Sequence, residues 1–199
     1  MSDEEEILDF WFGELDEHGC ASPTQRKHWW TKSDAFDATI RARFLSDYES
    51  IVSGERERWR STPRGALAYI IVLDQFSRNM FRDTPEMFAS DPLAREVCYE
   101  GLDAGFDAEL GFDERAFFYL PLEHSEDIHD QERCHEVFTN LCEVAPESLK
   151  ADARYYLDYA ERHREIIERF GRYPHRNEIL GRVSTDEEIE FLKQPGSSF

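Results

Sequence analysis

Thr62-Pro-Arg-Gly-Ala-Leu-Ala-Tyr-Ile-Ile-Val-Leu-Asp-Gln-Phe-Ser-Arg-Asn79 is the stretch whose reading decides the fold. Thr62 offers a capping acceptor, and Pro63 brings the fixed φ that suits a first helical residue. Ala66, Ile70, Leu73 and Phe76 then recur at helical spacing, while the middle from Ala66 to Leu73 is apolar nearly all round. A helix of that kind is buried on most sides. The expectation is an all-α protein, a multi-helix bundle or array, with one largely buried central helix over about residues 62–79.

The flanking sequence repeats the same punctuation. Ser22-Pro23 and Asp91-Pro92 place an acceptor before a proline, Ser33 and Asp113 read as N-caps, and Ser184 with Glu187 reads as a capping box. Phe36, Ile40, Phe44 and Ile51 form one amphipathic stripe, and Gly13, Gly54 and Gly171 stand where helices must stop with positive φ. Alternating strands and fixed-period repeats are lacking, and no Pro/Gly/Ser-rich linker divides the chain. Residues 1–199 therefore read as a single domain.

Composition narrows the function classes. Asp and Glu number 43 against 23 Lys and Arg, a net charge of −20, so nucleic acid and anionic membrane surfaces are disfavoured as partners. The 40% hydrophobic and 14% aromatic content still supplies a core. The acidic start MSDEEE differs from a basic secretory leader, and the longest apolar stretch, Ala66 to Leu73, is far too short to span a bilayer, so a cytoplasmic protein is expected. Cys20, Cys98, Cys134 and Cys142 show neither zinc nor disulfide spacing. Lysine, at 4 residues against 19 arginines, and the acid excess suit a salt-rich cytoplasm that screens self-repulsion.

Three constellations carry chemistry. Asp74, Gln75, Arg78 and Asn79 end the buried helix, where i,i+4 spacing sets Asp74 against Arg78 and Gln75 against Asn79. They either line a cavity or form a structural network that fixes helix register. In the second, Pro121 is expected to break or kink a helix just before Glu123-His124-Ser125-Glu126. His124 is the candidate general acid or base, with Glu123 or Glu126 to orient it; the alternative is a capped junction. Glu126-x-x-His129 and Glu132-x-x-His135 echo di-iron units, but their spacing puts them on one helix, so neither metal nor other cofactor is expected. In the third, Arg162 to Arg182 holds six arginines against three acids. A helix ends there at Gly171 and a short one begins near Pro174, which gathers Arg172, His175, Arg176 and Asn177 where a carboxylate or phosphate can bind. The alternative is that these arginines pair internally and lock down the last helix.

The segments ILDFWFG from Ile7, LDQFSRNMFR from Leu73, FFYLPLEHSE from Phe117, RFGRYPHRNEILGR from Arg169 and STDEEIEFL from Ser184 closely resemble a mostly bacterial family known as domain of unknown function 924. The resemblance implies a right-handed helical array of the tetratricopeptide-like superfamily and brings no settled activity. Two positions depart from the family pattern: Ser77, where proline is common, and Tyr173, where phenylalanine is common.

The leading functional expectation is a helical domain that binds an anionic small molecule or a peptide carboxylate through Arg78, Asn79, His124, Arg172, His175, Arg176 and Asn177. One alternative is an enzyme using His124 as acid or base with an arginine clamp. The other is a protein-interaction scaffold whose groove displays Trp11, Trp29, Trp30 and Trp59 and takes a protein partner.

Overall fold

The structure, a computed structural model, describes residues 2–198 and is built of helices; among the described residues there is no strand beyond an isolated bridge between Leu15 and Ala21. The chain falls into two compact units, Met1–Arg82 with Glu86–Pro121 and Asp83–Pro85 with Leu122–Phe199.

The first unit contains α1 (Glu4–Phe12), α2 (Pro23–Trp29), α3 (Asp34–Val52), α4 (Pro63–Ile70), α5 (Ser77–Met80), α6 (Asp91–Ala104) and most of α7 (Phe112–Glu123). Every residue from Ala66 to Leu73 is fully buried. Burying each large side chain there stabilises the fold by roughly 1.5–3 kcal/mol. Ile7, Leu8, Trp11 and Phe12 of α1, Ile40 and Phe44 of α3, and Phe117 of α7 complete this core. Phe76 lies edge-on to Trp11, ring centroids 5.7 Å apart, and 4.8 Å from Phe44.

The central helix is continuous but not uniform: between α4 and α5, Ile71–Phe76 forms a π-helical turn. The Ser77 N–H reaches back five residues to the Val72 carbonyl. Wide turns leave carbonyls without regular partners. Here the Ser90 hydroxyl donates to the Leu73 carbonyl at 2.6 Å and Arg78 Nη1 to the Asp74 carbonyl at 2.6 Å. A proline at Ser77 would remove the N–H that closes the turn.

The second unit pairs α8 (Ile128–Val144) against α9 (Lys150–Phe170) and ends with α10 (Asp186–Phe191). Ala153, Tyr156, Ala160, His163, Ile166 and Ile167 face inward along α9 at helical spacing. Gly171, at φ 67°, stops that helix in the left-handed region.

Several local expectations are corrected. The cap of α6 is Ser90, and Asp91 is its first residue. Asp113 lies inside α7, buried, where it accepts the Ala21 N–H at 2.8 Å and both Arg26 bonds at 2.9 and 2.8 Å. The capping box is Thr185 with Glu188, one residue beyond the expected pair, and the Ser184 hydroxyl instead accepts from Asn177 at 3.0 Å. Pro121 does not end its helix, which runs on to Glu123.

Candidate functional site

In the first unit, Asp74, Gln75 and Arg78 form a polar network with Asp91, and Asn79 joins a second one at Asp37. Arg78 grips Asp91 with two bonds of 2.9 and 3.0 Å and lies 3.2 Å from the Asp74 carboxylate, the expected i,i+4 pair. The expected pairing of Gln75 with Asn79 is replaced: Gln75 donates to Asp74 at 2.6 Å and Asn79 to Asp37 at 2.7 Å. Arg82 adds two bonds to Asp37, at 2.5 and 2.9 Å.

The second unit builds its polar cluster around the fully buried Tyr173. Tyr173 hydroxyl donates to the Glu123 carbonyl at 2.5 Å and accepts from Gln131 Nε2 at 2.9 Å. Gln131 also donates to the carbonyls of Leu122, Glu123 and Ser125, so one buried amide ties the end of α7 to α8. The phenol at position 173 is thus a working departure from the family pattern. Burial raises its ionisation well above the usual range and keeps it neutral.

Around that ring stand the ionisable groups. His163 of α9 meets Tyr173 at 5.6 Å between centroids, His175 at 5.6 Å, and the Arg176 guanidinium sits 4.6 Å over its face. His163 Nδ1 lies 2.8 Å from the Tyr159 carbonyl and 3.6 Å from the Glu123 carboxylate. Burial, together with the nearby His124, Arg176 and His175, lowers its protonation to about 3. Burial and Arg176 lead the causes that bring His175 down to about 4, with His124 and Arg182 also acting and Glu126 opposing. His124 is therefore close enough to act on both rings through its charge.

The arginine-rich segment closes largely on itself. Arg169 bonds Glu187, and Arg172 holds Glu188 at 2.6 and 2.8 Å and the Val183 carbonyl at 3.0 Å, which fastens α10. Bonds from Arg172, Thr185 N–H and Asn177 bring the Glu188 carboxyl down to about 2. Arg182 grips Glu126 at 2.6 and 2.9 Å, and the Tyr173 N–H donates to the same carboxylate at 2.8 Å. Burial pushes the Glu126 carboxyl up, but these donors outweigh it and hold it below the usual range. The segment Pro174–Arg176 is a three-residue 3₁₀ turn. Two backbone donors at this turn have acceptors: Arg176 N–H bonds the Tyr173 carbonyl and Asn177 N–H the Pro174 carbonyl.

The sequence does not single out His163 or Gln131, and it marks Arg182 only as the end of the arginine-rich segment and Glu126 only as a partner for His124. His163 carried one signal, a histidine in phase with the apolar stripe of α9. Of the Glu-x-x-His echoes, His129 lies 3.5 Å from Glu132 and His135 3.1 Å from Glu161. No three metal-ligating side chains meet among the described residues. Trp11 and Trp59 are core residues, Trp29 is half-buried, and Trp30 is 58% exposed. No described helix is long and apolar enough to cross a membrane.

These features define a class: an all-α protein with imidazoles and a guanidinium drawn around a buried tyrosine. The chain belongs to the family of bacterial proteins of unknown function DUF924, whose model matches residues 7–196. It is similar to a solved protein of unknown function, ATU0120 from Agrobacterium tumefaciens, at 37% identity over 96% of each chain with a TM-score of 0.81. No curated protein matches.

Proposed function

We propose that the second unit binds a small anion or a peptide carboxylate beside Tyr173, through His124, His175, Arg176 and Asn177. The observation that supports it is mutual suppression of charge: His163 and His175 are held neutral partly by each other's neighbours, His124 and Arg176. A bound anion reverses that penalty, because each imidazole then gains by taking a proton. Arg172 enters as a strut, since Glu188 links it to Asn177. The partners already found for Asp74, Gln75, Arg78 and Asn79 favour a structural network for the first constellation.

The test is a melting-temperature series with phosphate, sulfate, acetate and citrate. The expected result is stabilisation by at least one anion, stronger near pH 5.5 than near pH 7.5, and lost in His175→Gln. Flat melting across the panel at both pH values removes the proposal.

A further inference from the structure

Two residues of the proposed anion site are closed off from solvent: Arg176 is 7% exposed and Asn177 only 1%. A ligand reaches Asn177 only when a neighbour moves. Its side-chain neighbours are α10 and the segment leading into it, since the Asn177 amide donates to the Ser184 hydroxyl at 3.0 Å and to the Glu188 carboxylate. Glu188 is itself buried. One of its oxygens accepts from Arg172 Nε at 2.6 Å and the other from Arg172 Nη2 at 2.8 Å. A two-pronged guanidinium with an amide donor beside it is the arrangement that holds a free carboxylate, and here the chain fills it with its own. The further bond from the Thr185 N–H at 2.7 Å belongs to the cap of α10 and travels with that helix.

Charge fastens α10 more than burial does. Among its described residues Glu188 alone is buried, and Ile189 is 45% exposed. Its apolar hold is Phe191 against Phe170, centroids 5.0 Å apart and both half-buried, and its second clasp, Glu187 on Arg169, is exposed. The lead-in turns at Gly181, φ 65°, and leaves Val183 almost wholly in solvent. A six-residue helix with so little apolar area buried lies at the low end of local stability, whereas α9 buries a full apolar face.

We propose that α10 is a strap over the anion site, latched by Glu188 as an internal carboxylate that an external carboxylate displaces; this names the ligand class and the regulation of the site in the second unit and rests on that reading. While the strap is latched, Arg172 and Asn177 are both taken by Glu188. When it lifts about the lead-in after Gly181, the same donors turn to the ligand and Asn177 becomes accessible. Occupant and ligand compete, so the ligand must offer the planar, two-oxygen chemistry of Glu188. Its apparent affinity is reduced by the fraction of time the strap is open.

Hydrogen exchange of the full chain, read by NMR, compares the Ile189 and Leu192 amides, which bond the Thr185 and Glu188 carbonyls, with amides in the middle of α9. In the parent, α10 should exchange before α9. Glu188→Gln and Arg172→Ala should each speed α10 about tenfold or more and leave α9 unchanged, whereas Glu187→Gln, which removes only the exposed clasp, should change α10 less than about threefold. Thermal melts with glutarate supply the second reading. Half-maximal stabilisation should come at a roughly tenfold lower concentration in Glu188→Gln than in the parent, and Arg172→Ala added to Glu188→Gln should abolish that gain. Circular dichroism confirms that each variant is folded. Equal exchange of α10 and α9, or an equal, saturable glutarate response in parent and Glu188→Gln, overturns the strap alone. Glutarate melting that is flat in both proteins overturns the anion reading, and the strap's role with it.

Discussion

The Glu126 carboxylate accepts the Tyr173 N–H at 2.8 Å while Arg182 grips its two oxygens, so the turn after α9 closes on an anion that the chain itself supplies. Two donors of this turn, the Tyr173 N–H and the Arg182 guanidinium, are thus taken by a carboxylate of the chain itself.

Glu126 should make the protein acid-sensitive. Its folded carboxyl lies below the usual range, so its contribution is fully present above the unfolded value of about 4.3 and is lost as pH falls through the folded value. Glu126→Gln should lower the melting temperature near neutrality and flatten the loss of stability below about pH 4.5. An unchanged acid limb in the variant would refute this.

The imidazoles work in a higher window. In the unfolded chain they take protons near about pH 6.5, whereas His175 and His163 do so only near about 4 and about 3 when folded. The unfolded state therefore binds more protons between those limits, and stability falls as pH drops below about 6.5. The slope reaches at most about 1.4 kcal/mol per pH unit for each ring. Denaturant melts of His163→Gln and His175→Gln between these limits should show a shallower slope than the parent.

Tyr173→Phe tests the buried hydroxyl. Losing it leaves the Glu123 carbonyl without this donor and Gln131 Nε2 with fewer acceptors. The expected cost is about 1–2 kcal/mol by chemical denaturation, with helical content unchanged. A neutral result would mean that Gln131 satisfies both sides alone.

Arg78→Ala should be far more damaging. It removes the cation facing the fully buried Asp74 and the largely buried Asp91, and breaking such a pair from one side costs about 3–5 kcal/mol. Arg78→Lys, which keeps the charge but loses the two-pronged grip on Asp91, should recover only part of that stability.

The all-α class was legible because helix caps and apolar spacing are local: Thr62, Ser22 and Ser33 cap the helices read from them. Cap positions such as Ser90 and Thr185 slipped by one residue because neighbouring acceptors compete and tertiary partners choose between them. Asp113 looked like a cap from sequence, yet Arg26, far away in the chain, claims it. The same limit hid much of the site. The sequence leaves Arg172 either an anion clamp or an internal ion-pair partner, and Glu188 stands opposite it; Glu126 takes Arg182, and His163 carries no mark beyond its place in the apolar stripe of α9. Residue type announces which groups need partners, but only the fold says which partner arrives.

The π turn has a consequence for phase. Each α-helical residue turns the chain by about 100°, so one extra residue in a turn rotates everything after it by that amount relative to an unbroken helix. The apolar wheel of Ala66–Ile70 and the polar wheel of Asp74–Asn79 are set by this offset, like two gears keyed at different angles on one shaft. Deleting a single residue within Ile71–Phe76 would shorten the protein very little. It would remove the extra residue that makes the turn wide, and a regular α-helix would then carry Arg78 to Asp91 in the same phase.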